Sequence, residues 1–119
     1  MGVERTERGW AGHFCCSQSC LFRRNTLLKY ENKKIVVSTV GLMTLDNKYT
    51  FDQIGIGRYY ETMAFKALEN NEFDDGDVTK QIDFNSNWAI DKVDGELEAN
   101  IMHEKVVDEI SDKLQNGEM

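Results

Sequence analysis

The sequence predicts an α+β fold: an antiparallel β-sheet of about five to six strands with a C-terminal α-helix packed on one face. Three patterns carry this expectation. Residues 34–43, Lys-Ile-Val-Val-Ser-Thr-Val-Gly-Leu-Met, are β-branched and apolar at both parities, as in a central strand buried on two faces. Residues 78–84 alternate, with Val78, Lys80, Ile82 and Phe84 set against Thr79, Gln81 and Asp83, as in an antiparallel strand with one wet face. Residues 96–115 place His103, Val106, Val107, Ile110 and Leu114 at helical spacing on one face. Strands come first and the helix last, the order expected of a sheet covered on one side.

Residues 1–8 are charged and read as a flexible N-terminal segment of a single domain spanning 1–119. Residues 9–16 read as a short strand, with Trp10, Phe14 and Cys16 opposite Ala11, His13 and Cys15. Residues 17–19 form a loop. Residues 25–30 form a second strand, and Glu31-Asn32-Lys33 turns the chain into strand 34–43. Asp46-Asn47 is a turn, and Lys48-Tyr49-Thr50-Phe51 begins the returning strand. Gly55-Ile56-Gly57 interrupts the pattern. Residues 58–67 fit either a helix face (Tyr59, Met63, Ala67) or an alternating strand (Tyr59, Glu61, Met63, Phe65); aromatic content and the preceding glycines favour the strand. Residues 69–77 are an acidic loop. Asp94 is the expected N-cap of the helix, Glu96 and Glu98 suit its positive end, and Gly117 lies just past its end.

A chain of 119 residues matches one domain of roughly 100–200 residues and buries a core without disulfides or metal. No apolar run approaches the roughly 18 residues of a membrane helix, and the charged N-terminus carries no secretory h-region. Gly2 with Thr6 matches a myristoylation signal poorly, since Glu4 and Glu7 flank it. The expected location is the cytoplasm, with no membrane partner. The net charge of −7 is unevenly divided. Residues 1–60 hold nine Lys/Arg and five Asp/Glu, whereas residues 61–119 hold five and sixteen, giving +4 and −11. The acidic half argues against direct nucleic-acid binding, which needs clustered cations.

No motif carries a recognisable chemistry. Cys15, Cys16 and Cys20 lie near His13, but the second ligand pair of a zinc site is missing and only His103 is available at a distance. Three reduced cysteines, some of them buried, are the simpler reading. A Cys/His nucleophile pair lacks an orienting third group, and His103 on the apolar helix face reads as a core histidine. The acidic loop fails the calcium-loop pattern: Asn71, Phe73 and Asp75 fall at the first ligand positions and Ile82 at the twelfth, where Phe73 and Ile82 cannot ligate. Gly55-x-Gly57 is not a nucleotide fingerprint. Neither a metal nor a cofactor is expected. On the helix, Glu104, Asp108, Glu109 and Asp112 share a polar face, either solvated or used as an interaction surface.

Several blocks along residues 8–115 have a distinctive composition: Gly9-Trp10-Ala11-Gly12-His13-Phe14, Phe22-Arg23-Arg24-Asn25-Thr26-Leu27-Leu28, Ile35-Val36-Val37-Ser38-Thr39-Val40-Gly41, Tyr59-Tyr60-Glu61-Thr62-Met63-Ala64-Phe65, Ser86-Asn87-Trp88-Ala89-Ile90, and Met102-His103-Glu104 with Val106-Val107. In these blocks the chain resembles a family of small accessory proteins carried by bacteriophages, prophages and plasmids, a family with no assigned reaction. The resemblance implies expression in a bacterial cytoplasm, and small accessory proteins of that kind often block host defences, including CRISPR effectors.

The expected function is therefore stoichiometric inhibition of a host defence complex, anti-CRISPR-like, with carboxylates mimicking DNA in a Lys/Arg-lined channel. The expected contact residues are Glu69, Glu72, Asp74, Asp75 and Asp77 in the loop and Glu104, Asp108 and Asp112 on the helix, with Tyr59, Tyr60 and Trp88 as exposed aromatic anchors. A homodimer is left open. Two alternatives belong to other classes: a small enzyme using His13, Cys15 and Glu61, and a nucleic-acid-binding regulator using Arg23, Arg24, Lys33 and Lys34.

Overall fold

A computed structural model of the chain describes residues 2–8, 19–44, 51–68 and 76–119. The chain runs β1 (Glu4–Glu7), β2 (Cys20–Tyr30), β3 (Lys33–Thr44), β4 (Phe51–Asp52), β5 (Tyr60–Ala67), β6 (Gly76–Ile82), β7 (Ala89–Ile90) and α1 (Glu96–Gln115). The strands form one antiparallel sheet in the order β1-β2-β3-β5-β6. The two-residue strand β4 pairs with β3, and β7 with β5. The helix packs on one face, so the α+β architecture holds.

β3 is central, as its two-faced apolar composition requires. Ile35 and Val37 point toward α1, and Val36 and Val40 are buried on the opposite face. The parity flips once. Leu42 has φ 54° and packs with Phe22, Tyr60 and Met102, whereas Met43 joins Cys20, Val40 and Ile54. Gly41 sits before this kink because a Cβ there would fall 2.3 Å from the Tyr60 ring and 2.7 Å from the Tyr59 carbonyl oxygen.

β2 and β3 form the longest ladder, from Cys20↔Met43 to Tyr30↔Lys33, closed by the two-residue turn Glu31-Asn32. Glu31 takes φ 56°, where glycine is the favoured residue. β2 extends well before residue 25. Arg24 and Thr26 hid that extension, since both face the helix despite being polar. The strand reading of 58–67 holds from Tyr60 onward. Of the returning strand, Phe51–Asp52 is described and pairs with Met43–Thr44. Residues 9–16, the turn at Asp46-Asn47 and most of the acidic loop lie outside the described residues.

Two expectations are corrected. The segment 1–8 is not a flexible appendage, because Glu4–Glu7 forms β1 and pairs in register with Thr26–Lys29. The four β1 side chains are all exposed, so no apolar alternation announced the strand. The helix N-cap is Gly95 rather than Asp94, with no side-chain capping bond. A Cβ at residue 95 would lie 2.8 Å from the Ile90 side chain, so the close approach of α1 to β7 selects glycine there. The helix spans Glu96–Gln115, matching the expected 96–115. It ends in a Schellman motif: Gly117 at φ 70°, with Gly117 and Glu118 N–H groups donating to the Leu114 and Lys113 carbonyls.

Candidate functional site

His103 sits at the centre of the helix–sheet interface, with none of its surface exposed. Its Nε2 lies 2.7 Å from Thr26 Oγ1 and its Nδ1 2.7 Å from Thr39 Oγ1. Thr39 Oγ1 in turn lies 2.6 Å from Thr62 Oγ1. The direction of every proton follows from Glu7. Thr26 donates to the Glu7 carboxylate at 2.9 Å, so its oxygen accepts from His103 Nε2–H. Nδ1 is then the acceptor, Thr39 donates to it, and Thr62 donates to Thr39. Burial pushes the imidazole down to about 4, with the Arg24 guanidinium adding to the effect. A neutral ring with both nitrogens engaged is a core histidine and no zinc ligand.

Glu7 also links to the surface. Arg24 donates to both of its oxygens at 2.9 and 3.0 Å and reaches Glu104 at 2.9 Å. Arg5 closes the cluster with a bidentate contact to Glu104, one arm at 2.8 Å. The Arg5 hydrogen bond, reinforced by Arg24, holds the Glu104 carboxyl down at about 2. Arg5, Glu7, Arg24 and Glu104 thus clamp β1, β2 and α1 together (two cations and two anions).

A second polar cluster holds the 83–88 loop. Glu109 accepts the N–H groups of Asn85 and Ser86 and the Ser86 hydroxyl at 2.6–2.8 Å. These bonds and Lys113 outweigh partial burial and hold its carboxyl at about 2.

Between this loop and β5 lies a cleft of about 400 Å³. It opens where β5 changes neighbour, from β6 at Ala64–Ala67 to β7 at Tyr60–Glu61. Arg58, Glu61, Asp83 and Gln81 supply its polar groups, with Met63, Ile82, Phe84 and Trp88 the apolar ones. The Arg58 guanidinium lies over the Trp88 ring, 5.2 Å from its centroid. It rests against Gly55, where a Cβ would fall 2.1 Å from one of its nitrogens. Arg58 Nε is 2.9 Å from Glu61 Oε2, but the buried N–H is not aimed at the carboxylate. The contact is therefore an ion pair without an aligned hydrogen bond.

The structure describes seven of the eleven expected contact residues. Glu69, Glu72, Asp74 and Asp75 lie outside the described residues, as do His13 and Cys15. Asp77, in β6, accepts the Thr79 N–H at 3.0 Å and lies 3.9 Å from Lys80, so its carboxylate is engaged within its own strand. Glu104 is engaged by Arg5 and Arg24 in the clamp, with 42% of its side chain exposed. Asp108 and Asp112 are exposed on the outer ridge of α1. Tyr60 is a further correction. It is fully buried, edge-on to Phe22 at 5.5 Å, and its hydroxyl donates to the Val93 carbonyl at 2.8 Å. Burial pushes that phenol up to about 12. Tyr59 is half-buried against the same cluster, and Trp88, 46% exposed, is the most accessible of the three aromatics.

Sequence reasoning missed Arg58 altogether; its signal was the preceding Gly55-Ile56-Gly57, read only as an interruption. Of the cations proposed for nucleic acid, Arg24 is tied to two carboxylates and Lys33 donates to the Met119 carbonyl. Cys20 is buried against Val40 and Ile54. Among the described residues no group of three His, Cys, Asp or Glu side chains is placed to hold a metal, and no helix is long and apolar enough to cross a membrane. No family model, curated protein or solved structure matches the chain.

Proposed function

We propose that the protein acts by binding: a stoichiometric, anti-CRISPR-like inhibitor that occupies the basic nucleic-acid channel of a host defence complex in the bacterial cytoplasm. The observation that carries this reading is the placement of charge. The second half of the chain holds −11, and Asp108 and Asp112 are exposed on α1. Carrying like charge on one surface opposes folding through self-repulsion, so a partner of opposite sign gives it a purpose. His103, Glu104 and Glu109 are each engaged in holding elements together.

The test is reconstitution. Purified protein is titrated into candidate effector nucleases while DNA binding is followed by anisotropy. Loss of DNA binding at one equivalent, with affinity falling as salt rises, supports the proposal. Inhibition at far below one equivalent, continuing with time, would indicate turnover and revive the enzyme reading through His13, Cys15 and Glu61.

A further inference from the structure

We propose that the outer ridge of α1 receives a basic amphipathic helix of the partner, with Leu97 and Ile101 as apolar anchors and the carboxylates around them pairing with that helix's Lys or Arg. This rests on the reading above that the partner is basic, and it names the element and the mixed chemistry that the partner brings.

Leu97 and Ile101 stand one turn apart on the side of α1 opposite the buried Val106, Ile110 and Leu114, and are 71% and 46% exposed. A helix that only covered a sheet would carry polar residues on that side. Asp108 and Asp112 continue the same ridge at helical spacing, Asp108 about 17 Å beyond Leu97 along the axis. The charge around the apolar pair is one-sided. Lys92 is paired with Glu98, and in the clamp Arg5 and Arg24 are balanced by Glu7 and Glu104. That leaves the exposed Asp94, Glu96, Asp108 and Asp112 against the exposed Lys105. A buried group records the same field. Beyond the burial that dominates, Glu96, with Asp94 and Glu98, helps to push the Tyr60 phenol up.

This combination selects among occupants. An acidic segment is repelled, and a purely cationic one leaves the apolar pair in water. A helix with leucine-like residues at i, i+4 and Lys or Arg beside them satisfies both, its side chains interdigitating with Leu97 and Ile101 as packed helices do.

The experiment uses three labelled peptides of one length and helical periodicity: Leu/Lys, Gln/Lys, which keeps the charge without the apolar face, and Leu/Glu, which reverses the charge. Affinity is read by anisotropy, and the Leu97 and Ile101 methyl resonances are followed by NMR. The Leu/Lys peptide should bind saturably and shift both methyl sets, with the other two peptides at least about tenfold weaker. The double variant Leu97→Gln/Ile101→Gln should lose about tenfold for Leu/Lys and keep its affinity for Gln/Lys. Leu97→Gln alone, at the more exposed position, should lose about threefold. Circular dichroism confirms that each variant is folded. Unchanged Leu/Lys affinity in the variants, or unmoved methyl resonances, would overturn the ridge. Leu/Glu binding as tight as Leu/Lys would overturn the basic occupant. A dimer of the protein alone in sedimentation, dissolved by the double variant, would give the ridge to a second copy and overturn the partner helix. Gln/Lys binding as tight as Leu/Lys would overturn the apolar anchors while leaving the acidic-surface reading intact. No binding of either cationic peptide would overturn both.

Discussion

His103 shows how one side chain fixes the protonation order of a protein interior. Its folded value of about 4 lies below the ordinary 6.5, so the unfolded chain binds a proton that the folded chain refuses. Stability is therefore fully present above pH 6.5 and declines as pH falls toward 4, by on the order of 3 kcal/mol across that window. Glu104 and Glu109, held at about 2, add a second loss between their ordinary range and pH 2. Urea denaturation at successive pH values should show both stages, and His103→Gln should flatten the first. Thr39→Val removes the donor to Nδ1 and should cost ~1–3 kcal/mol, because a buried acceptor is left unpaired. Nitrogen chemical shifts of the imidazole should report the Nε2–H tautomer in the wild type. The sequence made His103 legible as a core residue from helical spacing alone. Its partners were not legible, because Thr26 and Thr39 lie 77 and 64 residues away and periodicity says nothing about which strand faces which turn.

At the scale of elements, legibility tracked the source of stabilisation. α1 and β3 are held by apolar faces, and apolar faces write a period into the sequence. β1 is held by its ladder with β2 and by charged side chains reaching Arg24 and Glu104, so it left no hydrophobic trace and was read as a tail. That difference is testable. Glu104→Gln should raise amide hydrogen exchange in β1 well above that in β3, with little change in α1, since it loosens the clamp and leaves the core intact. Exchange rates unchanged in β1 would mean the backbone ladder alone secures it. The β2–β3 turn offers a change of opposite sign. Glu31 occupies a left-handed conformation at φ 56°, so Glu31→Gly should stabilise the protein by about 1 kcal/mol, read as a raised denaturation midpoint.

For the molecule as a whole, composition located the charge but not its use. Within the acidic half, Glu104 and Glu109 brace other elements, and Asp77 is engaged by Thr79 two residues along β6. No count of carboxylates distinguishes such a brace from a binding group, because the distinction depends on which cations the fold brings near. Asp112 survives that sorting, and Asp108 stays exposed while lying within the field of Arg5. Reversing both to Lys should weaken binding to a basic target at least about tenfold and flatten its salt dependence, while surface positions of this kind cost within about 0.5 kcal/mol of stability each. Equal affinity for the double reversal and the wild type would move attention to the exposed pair Leu97 and Ile101.

The hairpin closed by Glu31-Asn32 also dictates a history. Its ladder joins residues close in sequence, whereas the clamp and the His103 contacts join β1 and β2 to a helix at the far end of the chain. Closing a short loop costs less chain entropy than closing a long one, so β2 and β3 should pair in the rate-limiting step and α1 should dock afterwards. The strained turn then sits in the nucleus. Glu31→Gly should raise the refolding rate about fivefold and leave unfolding nearly unchanged, whereas Thr39→Val should chiefly accelerate unfolding. Stopped-flow chevrons of the two variants separate these limbs, and the same rates for both would mean that hairpin and helix assemble together.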